Sequence, residues 1–169
     1  MQLNTLQDVL VDQVADLYSA ETQLVSALPK MASAAHTPEL REAFEEHLEE
    51  TRGHVTRLDE ALTEISAHPS AEVCEAMRGI IKEGEDVVQA SGEPAALDAA
   101  LIAAAQRAEH YEIAAYGTAK ALAGELGYDR AASLFGQTLD EESAADKLLT
   151  KIAQGGLMSS GVNQAANAR

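Results

Sequence analysis

The stretch EETRGH at residues 49–54, echoed by EESAAD at residues 141–146, decides how this chain is read. In each, a glutamate (Glu50 or Glu142) precedes by four residues a second side chain able to hold a metal, His54 or Asp146. Four residues is about one helical turn, so each pair shares a helix face. Two further acids stand upstream: Glu21, in LYSAETQL, lies 29 residues before Glu50, and Glu112, in EHYEIAAY, lies 30 before Glu142. The pattern is that of a duplicated helical hairpin with its acids turned inward.

Working outward, Leu3, Leu6, Leu10, Val14, Leu17, Leu24 and Leu28 recur at helical spacing and predict a first long helix ending near Ala35. Pro29 falls inside it and removes one hydrogen bond. HTPEL then restarts a helix, with Thr37 as N-cap and Pro38 at the first helical position. Leu40, Phe44, His47, His54, Leu58, Leu62 and Ile65 carry its buried stripe, which stops before HPS at 68–70. Residues 71–92 read as a crossover with one or two short helices. Glu93 and Pro94 open a third long helix through Ala123, the LGY turn at 126–128 closes it, and Asp129 caps a fourth running to about Ala153. The expectation is an all-α, ferritin-like four-helix bundle over residues 1–154, with a long crossover between its second and third long helices. The small, polar tail at 155–169 is expected to be poorly ordered, or ordered only against a partner.

Turn arithmetic sharpens this. With the first turn centred near residue 36, Glu21 lies fifteen residues before it and Glu50 fourteen after; with the second near 127, Glu112 and Glu142 each lie fifteen away. At a rise of roughly 1.5 Å per residue, all four acids fall about 21–23 Å from their turns, level within each hairpin.

Composition narrows the function classes. The 169 residues suit one domain. Twelve basic against 28 acidic residues give a formal charge of −16, which repels nucleic acid and anionic membranes. The lone Cys74 cannot form an intramolecular disulfide. Asp8 and Asp12 interrupt what a secretory signal would need as an apolar run. The most apolar stretch, Ala95 to Ala105, is broken by Asp98 and falls short of the roughly 20 residues of a membrane span. A cytoplasmic address is expected, with neither nucleic acid nor membrane as partner.

Most glutamates on helices face water, but Glu21 lies four residues after Leu17 and three before Leu24, on the buried stripe. Glu112 sits between Ala108 and Tyr116, and Glu142 between Leu139 and Ala145. Glu50 shares its face with His47 and His54. Four ionised carboxylates in an apolar core either take up protons or gain a compensating cation. Two divalent metals supply that compensation, and an oxygen-rich set with imidazole suits iron or manganese over zinc. Glu109, one turn before Glu112, either adds a carboxylate or faces water. Tyr18 either bonds a ligand carboxylate or packs, and His47 either donates to a ligand or lies at the surface.

At LYSAETQLVSALPKMA (17–32), HLEETRGHVTRLDE (47–60), KEGEDVV (82–88), AEHYEIAAYG (108–117) and LDEESAADKLL (139–149), the chain resembles the YciF/YciE-like family of bacterial ferritin-like proteins. The resemblance spans residues 3–154. It implies a compact bundle, often dimeric, associated with stress responses. The family's helical acids are similar to those of rubrerythrins, whose di-iron centre reduces peroxide. That similarity implies Glu21, Glu50, His54, Glu109, Glu112, Glu142 and Asp146 as metal-site residues, with Asp146 where a rubrerythrin has His. The four-cysteine iron domain of rubrerythrins is missing here, and with it a visible route for electrons.

The expected function is therefore a di-iron, or alternatively dimanganese, carboxylate protein of the stress response that reacts with peroxide or oxygen. If it turns over, it does so as a peroxidase, ferroxidase or manganese-catalase-like oxidoreductase. Two rivals stand beside it: a non-catalytic iron-binding or storage protein, and a metal-free helical interaction module.

Overall fold

The computed structural model describes residues 3–68, 72–156 and 159–168. Thr5 starts α1 (Leu6–Ala34) with a reciprocal cap: its hydroxyl accepts from the Asp8 amide, and the Asp8 carboxylate accepts from the Thr5 amide. The helix runs on through Pro29. After a three-residue turn the chain returns as α2 (Pro38–Glu64). The crossover holds one short helix, α3 (Glu75–Val88), which packs on α1 and α4. The second hairpin is α4 (Pro94–Glu125) and α5 (Asp129–Gln154), turned at Gly127, whose φ of +78° suits a residue without Cβ. The turns lie where the arithmetic puts them, and Pro69 and Ser70 of the HPS stretch lie outside the described residues.

Two hairpins and a crossover make the all-α, ferritin-like bundle expected from the spacing. Among the described residues no helix is long and apolar enough to cross a membrane.

The core is two apolar clusters. Leu24, Leu28, Leu40, Phe44, Leu101 and Leu149 anchor one, toward the turn between α1 and α2. Leu10, Leu17, Leu58, Tyr116, Ala119 and Phe135 anchor the other, toward the turn between α4 and α5. Between Leu17 and Leu24 on α1 the buried residues are Ala20 and Glu21, and between Phe135 and Leu149 on α5 they are Gly136, Thr138 and Glu142. A polar layer thus crosses the bundle at mid-height.

Two features depart from the sequence reading. Thr37 occupies the N-cap of α2 but its side chain makes no capping bond. The cap comes from α4: fully buried Asp98 accepts from the amides of His36 and Thr37, both at 2.8 Å. The tail, expected to be poorly ordered or ordered only against a partner, runs as a two-residue β1 (Gly155–Gly156) paired with β2 (Ser159–Ser160), then α6 (Val162–Asn167). Val162 is buried in the first cluster, and α6 packs on α4 and α5. Gly161 makes the return possible, because a Cβ there would overlap the backbone of Gln154 and Gly155.

Asp98→Ala removes the acceptor of two backbone N–H groups at the start of α2 and is expected to cost about 2–4 kcal/mol in urea denaturation. Thr37→Ala, lacking a bond to lose, is expected to change stability by less than about 0.5 kcal/mol.

Candidate metal centre

Three helices bring acids to the polar layer, and α2 brings histidines. Glu21 from α1, Glu109 and Glu112 from α4 and Glu142 from α5 are all at most 3% exposed, as is His54 from α2; His47, also from α2, is 6% exposed. Their ligand atoms form two groups. One holds Glu21, His54 and Glu142; the other holds His47, Glu109, Glu112 and Glu142; within each, one atom per residue lies within 4.8 Å of the others. Glu142 belongs to both, the position of a bridging carboxylate.

The atoms converge at ion-pair distances, and several of them have no aligned hydrogen bond. His54 Nδ1 lies 2.9 Å from Glu142 Oε1 and 3.3 Å from Glu21 Oε1, and His47 Nε2 lies 3.4 Å from Glu109 Oε1 and 3.7 Å from Glu142 Oε2. Yet His54 Nδ1, Glu21 Oε2, Glu109 Oε2 and both oxygens of Glu112 and Glu142 are buried with no aligned hydrogen-bond partner. Buried polar atoms are ordinarily paired, and unpaired carboxylate oxygens in such number carry a large desolvation cost. A buried His/Glu group of this kind could hold a metal ion.

Surrounding groups hold the ligands in place. The Tyr116 hydroxyl donates to Glu21 Oε1 at 2.5 Å. His54 Nε2 meets Glu141 Oε2 at 2.9 Å, and Glu141 accepts two bonds from Arg57, at 2.7 and 2.8 Å. Arg57 also donates to Thr138 at 2.8 Å. With Nε2 donating to a carboxylate, the Nδ1 lone pair is left for a metal, the usual way outer groups set a ligand's tautomer.

Burial, followed by the Glu142 charge, pushes the Glu109 and Glu112 carboxyls well above 4.5. Burial also raises Glu21, although His54 opposes the shift. Burial alone would lower His54, but the contacts with Glu142 and Glu21 outweigh it and hold the ring up to about 10. Burial would likewise raise Glu142, but His54 draws it below its ordinary value. Without metal, the layer keeps itself near neutrality with protons.

Of the seven residues expected at the site, Glu21, His54, Glu109, Glu112 and Glu142 come together. Glu50 and Asp146 do not. Glu50 has a side chain 47% exposed and faces His47 Nδ1 at 3.4 Å from outside. At about 100° per residue it sits about 60° round the helix from His47, while Thr51 takes the inward place. Asp146, 21% exposed, accepts from Gln106 Nε2 at 2.8 Å and faces His110 at 3.3 Å. His47, Tyr116, Glu141 and Arg57 are the residues at or around the site that the sequence reading did not assign to it. Spacing carried a signal for two: His47 lies two turns before His54, and Tyr116 one turn after Glu112. Tyr18, weighed as the carboxylate partner, pairs with Asp59 instead.

The family described as "Domain of unknown function (DUF892)" matches residues 5–167. The chain belongs to the DUF892 family. Over 154 residues it is 46% identical to Protein YciF of Escherichia coli strain K12, covering 90% of this chain and 93% of YciF. The crystal structure of that protein, described as a stress protein, superposes with a TM-score of 0.88 over 98% of this chain and 99% of its own, at 41% identity. YcfI of Rhodopseudomonas palustris gives 0.86 at 39% identity, over 90% of this chain and 97% of its own. A two-domain protein of Anabaena variabilis with a ferritin-like domain gives 0.58 at 13% identity, over 96% of this chain and 38% of that one, a likeness of fold alone. This DUF892 member is thus a YciF homologue with a ferritin-like fold and a buried His/Glu cluster able to hold metal.

Metal-free protein is expected to lose stability as pH rises. Folded Glu109 and Glu112 keep protons that an unfolded chain releases above 4.5, so stability falls from there upward. His54, at 6.5 unfolded and about 10 folded, adds stability complete below 6.5 and gone above about 10. Glu142 acts oppositely, but only as pH falls below 4.5. In chelator, the urea midpoint is expected to decline between about pH 5 and pH 9, and Glu112→Gln is expected to flatten the decline.

Proposed function

We propose that this chain is a di-iron carboxylate protein of the bacterial stress response that reacts with peroxide or oxygen. The unpartnered, converging ligand atoms carry this reading. Glu21, His54 and Glu142 would hold one ion and His47, Glu109, Glu112 and Glu142 the other, with Glu142 shared between them. Glu50 and Asp146 stand at the rim, Glu50 against His47 and Asp146 against Gln106. Iron bound there supplies one-electron redox change and Lewis acidity.

The chain's own residues prepare that chemistry. Tyr116 fixes Glu21, and Arg57 through Glu141 fixes His54. The two apolar clusters exclude water from above and below. A cleft of about 110 Å³, lined by His47, Glu50 and Glu109, admits a small oxidant from one side. The stress association of YciF, a cytoplasmic address and a homodimer belong to the same proposal; the buried thiol of Cys74 is free, as a reducing compartment keeps it.

Anaerobic titration of metal-free protein with Fe(II) is expected to stop at two ions per chain and to raise the melting temperature by roughly 5–10 °C at saturating metal. Glu142→Ala is expected to abolish tight binding of both ions. Arg57→Ala is expected to weaken it by roughly 10–100-fold. Loading far beyond two ions would favour storage, and no uptake of iron or manganese, with unchanged melting, would leave only a metal-free helical module.

A further inference from the structure

The cleft beside the site does not end at the surface. It shares Ala43, Glu46 and Leu148 with a larger groove of about 540 Å³ between the start of α2, the end of α5 and the returning tail. Glu39, Glu42 and Glu46 line the groove; Glu46, Glu50 and finally Glu109 line the cleft. Glu42, Glu46 and Glu50 are spaced one turn apart, forming a row along one helix face. Against these five acids the two cavities present one lysine, Lys151, and the imidazole of His47. Among the described residues, no ion pair joins Glu39, Glu42 or Glu46 to a cation.

A row of exposed acids ordinarily serves only solubility, but this one ends on buried groups that face it. Glu109 is 3% exposed, lines the inner end of the cleft, and leaves Oε2 without a partner. His47 stands at the boundary: Nδ1 faces Glu50 on the outside at 3.4 Å, and Nε2 faces Glu109 and Glu142 on the inside. Small Ala144 and Ala145 on α5 form the opposite wall. A cleft of one charge sign with low-dielectric walls concentrates counter-ions and raises their association rate. We infer that the groove and cleft are the intake of the site: divalent cations are gathered by Glu39, Glu42 and Glu46, passed to Glu50 and His47, and delivered to Glu109. This inference rests on the metal-site reading, and it concerns the rate of loading, not the final occupancy.

The test follows Co(II) uptake by metal-free, full-length protein in stopped flow, read by cobalt absorption, with equilibrium stoichiometry measured on the same samples. Glu42→Gln/Glu46→Gln leaves every proposed ligand in place. It is expected to load about three- to tenfold more slowly at low ionic strength, with the difference shrinking in high salt and the final two ions and spectrum unchanged. Glu83→Gln/Asp86→Asn on α3, outside both cavities and equal in charge change, is expected to load at the parent rate. Ala144→Phe, at an exposed position in the cleft wall, is expected to slow loading at every salt concentration. Parent-like rates in both the Glu42/Glu46 and Ala144 variants, or equal slowing in the α3 control, would overturn the intake while leaving the metal site standing. Absence of bound cobalt at equilibrium in the parent would overturn both.

Discussion

A layer of buried carboxylates divides the hydrophobic core of this bundle in two. Glu21, Glu109, Glu112 and Glu142 sit where an ordinary four-helix bundle would place leucines, and six of their eight oxygens are buried without an aligned hydrogen-bond partner. Such a layer works against folding unless its charge is cancelled. The rest of the molecule fits that constraint. The apolar clusters above and below are rich in Ala and Leu and hold the helices close, while Tyr116, Arg57 and Glu141 brace the ligands. Protons hold the layer near neutrality when metal is absent, and a bound cation would offset its charge in their place.

Much of this was legible in the chain. Hairpin arithmetic placed Glu21, Glu112 and Glu142 at one height, because helical rise is uniform and both turns were marked, at HTP and LGY. Height does not fix direction, however. Glu50 lies at the right level yet on the flank of α2, where the inward places go to His47, Thr51 and His54. A pair four residues apart was less informative here than the two histidines seven apart. Asp146 was misleading for another reason: Gln106 of α4 takes its carboxylate, and nothing in the α5 sequence announces that partner. Asp98 capping α2 across 61 residues and Gly161 letting the tail return are long-range contacts of the same kind.

The relation to YciF carries the fold and the family, and the site carries the chemistry. Sequence identity of 46% over nearly the whole chain makes the architecture secure. The returning tail acquires a role that a flexible extension would not have, since it walls the acidic groove running down to His47 and Glu109. Chain end, surface charge and buried centre are then parts of one arrangement.

The central claim is that this polar layer is a two-ion site bridged by Glu142. Anomalous diffraction at the iron edge, from crystals of protein loaded with Fe(II), tests it most directly. Two peaks are predicted inside the bundle, one beside Glu21 and His54 and the other beside His47, Glu109 and Glu112, with the Glu142 carboxylate between them. An ordered bundle showing no peak in the layer, or iron only at surface acids, would contradict it.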